Sequence, residues 1–561
     1  MESPTPSPPP PVPPDRRAPG DPSAPGTPAN RRHAWLLAAL LAWALLLFAI
    51  GMSWGLPSWV GWAGDELHPT SWAKALSPAT TTGWHARYPP LHFAVLEGVS
   101  WPLRALVAHG LLRLEEADLV LWEIWLGRIV SLVMGLGVLY LVYRTGREIY
   151  DRRGALFATL IAASIAPLAY YAKMGNLDVP YLCWFTFSLL FYIRILKAHR
   201  LRDYLLYALL AAAAVCTKDQ AYGLYTLAPL PIAFGLYRRE YKDRGPIKGM
   251  LRTLVDRRLL LAGLTAAAGF ALFQDLLWDP QRFAVHVRLL LGPMSEDYQD
   301  FPNSLYGHLE LLVTFLRQIA FALNPALTLV CVLGLLLALW RGLRGRSRGQ
   351  VFLLGSLFVL ILSYYFTFLN LILFTFDRYV LPMGILLALF GGFFLGEVTR
   401  PGARYPGLRW AAVALVTAYS FLYAASVDFR LLADTRYAVE DYVWQHAKRP
   451  ESVIGVGRRK HIPRFRWVPW DRAIRSSGRV FDVLQPEYVA INVTDFRHEQ
   501  ETAIYDRLKS GDLGYRLVFV HQSRPLLDLL DPHDVGSSQR FIDPEIALFQ
   551  RLEDDGAGPP K

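Results

Sequence analysis

The sequence predicts a polytopic α-helical membrane protein with a small α/β domain at its C-terminus. Hydrophobic residues make up 53% of the 561-residue chain and the mean hydropathy is +0.24, which is too apolar for an ordinary soluble protein. About eleven apolar runs each approach the length that a bilayer requires. Lys and Arg residues cluster in every second connection between these runs, as they do in cytoplasmic loops.

The N-terminal segment 1–30 is rich in Pro, Ser and Gly and holds few apolar side chains, which predicts a disordered cytoplasmic tail. Such a Pro-rich run can also bind an SH3-like partner, although a solvated tail is the more common outcome of this composition. Arg31 and Arg32 then precede the apolar run 34–54. Because this run lacks an obvious small-residue cleavage site, we interpret it as a retained first span.

The membrane domain is predicted to cover residues 31–426. Its later spans are predicted at 120–143, 154–171, 179–196, 203–217, 221–237, 259–278, 320–340, 351–371, 379–397 and 408–426. If the N-terminus is cytoplasmic, the basic connections all lie in the cytoplasm, and these are 144–153, 194–202, 238–258, 341–348 and 400–409. The opposite connections are poor in Lys and Arg and hold acidic residues. This topology predicts a multi-pass membrane protein.

Segment 91–112 is also apolar, but it contains Glu97, Pro102 and Arg104. A span at this position would invert every later connection and break the charge pattern. We therefore interpret the segment as one or two amphipathic helices on the outer surface. Together with the residues before it, the segment forms a large first external loop, predicted at 55–119.

Residues 427–561 are soluble in composition and are predicted to form an external (periplasmic) domain. Asp434 is a plausible N-cap for a helix that continues to Lys448. Short apolar runs at 453–456, 488–493, 517–520 and 546–549 predict strands. A helix and several strands in this order indicate a small α/β domain.

Two further features exclude other classes of protein. Cys183, Cys216 and Cys331 all lie inside or at the edge of apolar runs, so they are predicted to be core residues without a disulfide framework. The net charge of +11 comes from basic residues in the predicted cytoplasmic loops. Because the sequence has no nucleic-acid-binding signature, we exclude nucleic acid as a partner.

Asp65 and Glu66 are adjacent in the first external loop, where an acidic pair is hard to explain by packing. A carboxylate near an apolar membrane surface can act as a general base on a hydroxyl or amine. The alternative is a solvated loop charge or an acid at a helix N-terminus. Position alone does not decide between these interpretations.

Two other motifs occupy the same predicted face. In Arg87-Tyr88-Pro89-Pro90-Leu91-His92, the residues Arg87, Tyr88 and His92 can face a polar ligand, or the prolines simply start an interfacial helix. Asp178 stands before Pro180 at a helix start, where an aspartate is an ordinary cap. Charged groups at membrane depth are nevertheless candidates for function.

Cations complete the set of candidates. Lys218 lies in a short external turn and can pair with Asp219 or hold a phosphate. Arg378, followed by Tyr379 at the start of the tenth span, can snorkel to the surface or clamp a phosphate, and Arg128 has the same two interpretations. Acids that activate an acceptor and cations that hold a phosphate on one face predict chemistry on a lipid-linked phosphate.

In these motifs the chain resembles the lipid-carrier-dependent GT-C glycosyltransferases, the group of protein O-mannosyltransferases and aminoarabinose transferases. The resemblance extends over roughly the first 430 residues. It depends on the order and spacing of Asp65-Glu66, Tyr88-Pro89-Pro90-Leu91, Asp178-Val179-Pro180 and Arg378-Tyr379-x-Leu381-Pro382. The chain has Tyr88-Pro89 where aminoarabinose transferases have a Lys-Pro pair, which puts the role of a lysine there in doubt.

The resemblance implies an enzyme that moves a sugar from a polyprenyl-phosphate donor to a lipid, glycan or protein acceptor, by direct inverting displacement. It implies that Asp65 is the catalytic base, that Glu66 is the second acid and that Asp178 is a further active-site acid. Arg378 matches a position that meets the donor phosphate. The other expected donor- or acceptor-binding residues are Arg87, Tyr88, His92, Lys218 and Tyr379. The aminoarabinose-transferase-like layout, together with the absence of disulfide spacing, favours a plasma membrane as the location.

Metal use and two other functions remain open at this point. Some branches of the group use a divalent metal, for which Asp65, Glu66, His68 and His92 offer ligands, although the sequence has no dense metal signature. A transporter or flippase of lipid-linked sugars is a second hypothesis, but no clear internal repeat with broken helices supports it. A non-catalytic membrane scaffold is a third.

Overall fold

The computed structural model describes residues 28–77, 87–292, 299–345, 347–449, 452–494, 496, 498–521 and 535–552. Residues 1–27 of the predicted disordered tail lie outside the described residues. A helical membrane part is followed by a C-terminal part that contains a five-stranded sheet. The predicted fold class, a polytopic helical protein with a small C-terminal α/β domain, is confirmed.

The helical part forms a bundle with short helices in its first connection. Its helices are Pro28–Ala49, Pro69–Leu76, Leu91–Ala108, Glu116–Ile149, Arg152–Ala163, Ala166–Tyr171, Asp178–Ala198, Leu201–Val215, Tyr222–Tyr225, Pro229–Leu236, Pro246–Leu254, Arg257–Phe273, Pro280–Leu291, Leu305–Leu323, Pro325–Leu343, Arg348–Tyr364, Asn370–Ile372, Leu381–Val398 and Pro406–Leu432. A 3₁₀ turn, Asp377–Val380, leads directly into helix Leu381–Val398.

Among the described residues, 7 helical segments are long and apolar enough to cross a membrane. They are Arg31–Ala49, Glu116–Ile149, Asp178–Ala198, Pro325–Leu343, Arg348–Ile372, Asp377–Val398 and Pro406–His446. The protein is therefore a multi-pass membrane protein, but the predicted count of about eleven spans is not confirmed.

The other four predicted spans are short or interrupted. The apolar run 154–171 is divided into two helices, and the second begins at Ala166 with Pro167 in its first turn. The run 221–237 is divided in the same way, because a new helix begins at Pro229. Helices Leu201–Val215 and Arg257–Phe273 have only 15 and 17 residues. Hydropathy detects apolar runs, but it does not detect where proline ends one helix and begins another.

Two helices that are not candidate spans lie mainly in connections between the predicted spans. Segment 91–112 forms one helix, Leu91–Ala108, which is not among the candidate spans of the described residues. Its interpretation as an amphipathic surface helix stays a prediction. Helix Leu305–Leu323 was missed by the sequence analysis. Its apolar run is interrupted by Glu310, Arg317 and the buried Gln318, and several of its apolar side chains are exposed.

Helices Arg152–Ala163 and Leu381–Val398 pack closely at the centre of the bundle. A Cβ atom on Gly392 would lie 2.6 Å from the backbone nitrogen of Ala158, so only glycine permits this approach. Small residues at such contacts let helix backbones meet at short distance. The close packing fixes helix Leu381–Val398 and with it the preceding turn that carries Arg378.

The C-terminal sheet has the strand order β2-β1-β3-β5-β4, with β1 at Val453–Val456, β2 at Arg466–Val468, β3 at Tyr488–Asn492, β4 at Tyr515–His521 and β5 at Ile546–Arg551. Strand β1 is parallel to β2 and β3, whereas β5 is antiparallel to β3 and β4. All residues of β1 and β3 are buried, as expected for strands covered on both faces. The four predicted strands are confirmed, and β2 was missed because it has only three residues.

The predicted N-cap Asp434 is also confirmed, since its side chain accepts a hydrogen bond from Arg436 N. The capped helix, Thr435–His446, ends slightly before the predicted Lys448. Further helices at Trp470–Arg475, Arg479–Leu484 and Glu499–Ser510 belong to the C-terminal part.

The C-terminal domain holds the loop that follows the first helix through aromatic and charged residues, most of which are buried. Asp434 accepts a hydrogen bond from Trp54 Nε1 at 3.0 Å. The guanidinium carbon of Arg436 lies 4.2 Å from the ring centre of Trp62 and 5.0 Å from that of Trp54. Arg464 donates to the carbonyl of Leu56 at 2.6 Å. These contacts fix the loop just before Asp65.

Candidate active site

Asp65 forms an ion pair with Arg378, which comes from the 3₁₀ turn before helix Leu381–Val398. The Asp65 side chain keeps 42% of its surface accessible, while that of Arg378 keeps 14%. The protein covers part of the carboxylate, and this partial loss of solvent raises its pKa. The cations of Arg378, Lys218 and Lys460 outweigh burial and hold the pKa of Asp65 below its usual value. Asp65 is therefore ionised and open to solvent.

A second ion pair lies beside the first. Lys218 Nζ lies 2.5 Å from Asp178 Oδ1, and both side chains are buried. The predicted partner of Lys218, Asp219, instead lies 3.0 Å from His286 Nε2, so that alternative was wrong. Asp178 is the first residue of its helix and pairs with Lys218 instead of capping it. Two cations and two carboxylates from four separate segments thus meet at one end of the bundle.

Aromatic rings enclose the two cations. Lys218 Nζ lies 5.7 Å from the ring centre of Tyr181 and 5.8 Å from that of Tyr379. The guanidinium of Arg378 lies 5.2 Å from the ring of Phe376 and 5.7 Å from that of Tyr379. Its Nε is buried and has no hydrogen-bond partner among the described residues. A buried donor of this kind is available to an anionic ligand.

Glu66 faces the opposite side of the loop and is fully engaged. Arg128 holds its carboxylate with two hydrogen bonds of 2.6 and 2.7 Å, and Gly175 N donates a third at 3.2 Å. The Glu66 side chain is 4% accessible and that of Arg128 is 0% accessible. Burial raises the pKa of Glu66, but Arg128 outweighs burial and holds the pKa below its usual value. Arg128 therefore neither snorkels nor faces a ligand, and Glu66 has the geometry of a structural clamp.

The motif at 87–92 divides between two environments. Tyr88 is half-buried; burial raises its pKa, and the charges of Arg378 and Asp65 also act on it, so its hydroxyl lies near the two ion pairs. His92 is fully buried, neither ring nitrogen has a hydrogen-bond partner in the described part of the chain, and burial lowers its pKa to about 3. His92 is thus a neutral residue away from the charged groups. Arg87 is half-buried and borders residues 78–86, which are not described.

Hydrogen bonds tie the Asp65 loop to its neighbours. Leu67 N donates to Gly175 O at 2.8 Å, which joins the loop to the segment before Asp178. His68 accepts from Thr70 N and so caps helix Pro69–Leu76, while its Nε2 lies 2.8 Å from the carbonyl oxygen of Trp59. These bonds leave His68 engaged within the loop.

The suggested metal ligands do not gather into one site. Among the described residues, no group of three or more His, Cys, Asp or Glu side chains is arranged to hold a metal ion. Asp65 pairs with Arg378, Glu66 pairs with Arg128 and His92 is buried elsewhere. The use of a divalent metal stays a prediction.

Sequence reasoning missed Tyr181 and Phe376, which flank the two cations, and it missed Lys460 of the C-terminal domain. Its Nζ donates to the carbonyl oxygens of Gly64 and Glu66 at 2.9 and 3.0 Å. The basic run Arg458-Arg459-Lys460 was a visible signal, because basic residues are not expected in a domain that the charge pattern predicts to be external.

Comparison with known proteins gives a partial family match. Residues 118–255 match the family model described as dolichyl-phosphate-mannose-protein mannosyltransferase. This stretch is less than half of the chain, but it contains Arg128, Asp178 and Lys218. The match supports the predicted resemblance to the protein O-mannosyltransferase group and a membrane glycosyltransferase of that kind. No curated protein matches the chain.

Several solved structures are similar to the chain at low identity. The oligosaccharyltransferase AglB from Archaeoglobus fulgidus, in complex with an inhibitory peptide and a dolichol-phosphate, is 12% identical with a TM-score of 0.48, over 93% of this chain and 88% of that one. ArnT from Cupriavidus metallidurans bound to undecaprenyl phosphate is 13% identical with a TM-score of 0.45, over 95% and 100%. The arabinosyltransferase EmbB from Mycobacterium smegmatis is 15% identical with a TM-score of 0.36, over 72% and 39%. These likenesses assign no residue roles.

Proposed function

We propose that this protein is a glycosyltransferase that moves a sugar from a polyprenyl-phosphate donor to an acceptor at the external (periplasmic) face of the plasma membrane. The N-terminus is then cytoplasmic and the C-terminal domain external. One observation carries the proposal: the accessible carboxylate of Asp65 contacts Arg378, beside the buried Lys218–Asp178 pair. This arrangement combines a base with phosphate-binding cations.

Arg378 and Lys218 are the proposed phosphate-binding groups. A guanidinium with a buried, unpartnered Nε can donate hydrogen bonds to phosphate oxygens, and Lys218 adds a second charge. Tyr379 and Tyr181 flank the cations and exclude water from them. A low-dielectric setting strengthens the stabilisation of the departing phosphate.

Asp65 is the proposed base. Its carboxylate accepts the proton of the acceptor hydroxyl or amine as the acceptor atom forms a bond to the anomeric carbon of the donor sugar. The bond between that carbon and the phosphate oxygen breaks, and the polyprenyl phosphate leaves with the electron pair. Attack opposite the leaving group inverts the anomeric configuration. The acceptor is a lipid, a glycan or a protein.

The ion pair between Asp65 and Arg378 implies that the donor binds before Asp65 acts as the base. A donor phosphate bound at Arg378 brings negative charge to the site and competes with Asp65 for the guanidinium. Arg378 then offsets burial less effectively, so the pKa of Asp65 rises and its carboxylate becomes a stronger base. Donor binding thus prepares the base for the acceptor. Glu66, held by Arg128, positions the loop and takes no proton in this scheme.

The test is transfer by the purified protein from a panel of polyprenyl-phosphate sugars, read as released polyprenyl phosphate, with the anomeric configuration of the product determined by NMR. Mass spectrometry of co-purified lipid narrows the panel. We expect inversion, and we expect Asp65→Asn to abolish turnover while donor binding is kept. A transporter or scaffold would show no transfer by the wild-type protein. Retention of configuration, or normal transfer by Asp65→Asn, would exclude Asp65 as the base in direct displacement.

A further inference from the structure

Lys460 of the C-terminal domain contacts the peptide groups on either side of Asp65. This residue lies in the 3₁₀ turn Arg459–His461, which follows strand β1. Its Nζ donates to Gly64 O at 2.9 Å and to Glu66 O at 3.0 Å. The two acceptors are the carbonyls of the residues on either side of Asp65, so a single ammonium group spans the peptide segment that carries the proposed base.

The backbone of Lys460 is itself rigidly held. Arg436, whose side chain is 0% accessible, donates to Lys460 O at 3.1 Å while it pairs with the equally buried Asp434. On the next residue, His461 O accepts from Asn492 Nδ2 of strand β3 at 2.8 Å. A buried ion pair and a central strand therefore fix the position from which Lys460 reaches the loop.

The charge of Lys460 also acts on Asp65. Three cations face Asp65: Arg378 from the turn before a membrane helix, Lys218 from the turn after Leu201–Val215, and Lys460 from the C-terminal domain. The phenols of Tyr88, Tyr170, Tyr171 and Tyr379 also face it. Lys460 is one of the three cations that hold the pKa of Asp65 low. Burial lowers the pKa of Lys460 itself, while Glu66 and Asp65 raise it.

We infer that Lys460 is a positioning residue of the glycosyl transfer and that the C-terminal domain completes the active site by pinning the peptide bonds around Asp65. The inference rests on the proposed function. A base must be held within a fraction of an ångström of its productive geometry, and charge-assisted hydrogen bonds to both flanking carbonyls provide that restraint. Loss of the ammonium group therefore lowers kcat and leaves the phosphate-binding cations intact.

The first test compares Lys460→Met with Arg459→Gln in the full-length protein. Arg459 is the preceding residue of the same turn and is exposed. Its guanidinium carbon lies 5.8 Å from the ring centre of Trp467. We expect Lys460→Met to lower kcat by about tenfold or more with the donor KM within about twofold of wild type. We expect the acidic limb of its pH–rate profile to move to higher pH, because the pKa of Asp65 rises. Arg459→Gln should change neither quantity.

A second test restores the amine chemically. Lys460→Cys treated with 2-bromoethylamine carries an ammonium at nearly the original distance, whereas treatment with iodoacetamide leaves a neutral side chain. Cys216 and Cys331 are buried and Cys183 is partly buried, so the wild-type protein treated in the same way is a direct control. We expect the aminoethylated protein to regain most of the wild-type kcat and the wild-type pH profile, and the neutral adduct to regain neither.

The outcomes separate this inference from the proposed function. No transfer by the wild-type protein contradicts the proposed function. Transfer by the wild-type protein, together with an unchanged kcat and an unchanged pH profile in Lys460→Met, overturns the role of Lys460 alone. Lys460→Arg, which keeps the charge, is a further comparison. If kcat stays low in Lys460→Arg and in the aminoethylated protein, and the pH profile is unmoved, the role of Lys460 is also overturned, because that pattern indicates a role in folding.

Discussion

The two neighbouring acids of the first loop, Asp65 and Glu66, meet opposite environments. On the Glu66 side, a bidentate pair with Arg128 is closed to solvent and satisfied by further hydrogen bonds. On the Asp65 side, a carboxylate that is 42% accessible shares its surroundings with three cations. The closed side is built for stability, whereas the open side retains unsatisfied binding capacity. A variant that disrupts the Glu66 side should therefore change mainly stability, and a variant that disrupts the Asp65 side should change mainly donor binding.

The largest effect on stability is expected from Arg128→Met. Without Arg128, the carboxylate of Glu66 stays buried without a counter-charge, and the unfolding free energy should fall by about 3–5 kcal/mol. Denaturation in matched detergent, followed by tryptophan fluorescence, measures this loss. The double variant Arg128→Met/Glu66→Met should recover much of it, because an apolar pair carries no uncompensated charge. If Arg128→Met were as stable as the wild type, the ion pair between Arg128 and Glu66 would not stabilise the fold.

Arg378→Gln tests the open side. We expect the donor KM to rise by about tenfold to a hundredfold, because a charge-assisted contact to phosphate is lost. The unfolding free energy should change by less than about 1 kcal/mol, since the paired Asp65 carboxylate is partly solvated. Kinetics with varied donor and denaturation of the same sample measure both quantities.

Arg400→Gln is a matched control for Arg378→Gln. Arg400 lies just beyond the opposite end of the helix that follows Arg378, and its side chain is 73% exposed. It should leave the donor KM at the wild-type value. An equal rise in KM for both variants would mean that net charge, and no specific phosphate contact, sets the affinity.

Much of this comparison could be predicted in outline from the sequence. The partition of Lys and Arg predicted one face for Asp65, Asp178, Lys218 and Arg378, and these side chains do meet at one end of the bundle. Charge partition reports the side of a membrane on which a connection lies. It does not report which side chains touch, so Lys218 was open to pairing with Asp219, whereas Asp178 is its partner.

The ion pair between Glu66 and Arg128 could not be predicted from the sequence for the same reason. Arg128 and Glu66 are 62 positions apart, and their contact depends on how the loop folds back onto helix Glu116–Ile149. A signal was present, because an arginine inside an apolar helix requires a partner. Lys460 lies 394 positions from Glu66, and its role needed the packing of a separate domain on the loop. Apolar periodicity predicts which elements form, but distant polar contacts follow from their assembly.

Two glycines in the same loop, Gly61 and Gly64, test the difference between the Glu66 side and the Asp65 side, and the expected effect on stability is intermediate. A Cβ atom on Gly61 would clash with Glu66 Oε2 and lie 2.5 Å from Arg128 Nη2, whereas a Cβ atom on Gly64 would meet nothing within 4 Å. Gly61→Ala should therefore lower the unfolding free energy by about 1–3 kcal/mol, since it forces the closed pair apart. Gly64→Ala, next to Asp65, should stay within about 0.5 kcal/mol of wild type. Similar melting temperatures for the two variants would show that the closed pair tolerates displacement.

The smallest expected effect is a difference in how stability depends on pH. Arg128 holds the pKa of Glu66 below its unfolded value, so the stabilisation is present above about pH 4.3 and is lost as the pH falls through the lowered folded-state value. Glu66→Gln cannot titrate; its stability should lie below that of wild type at neutral pH, and the gap should narrow in acid. Asp65→Asn should change the curve less, because the partly exposed carboxylate is screened by solvent. Melting temperatures between neutral pH and about pH 3 measure these slopes. Parallel curves for Glu66→Gln and wild type would mean that the folded protein does not hold Glu66 in its ionised form.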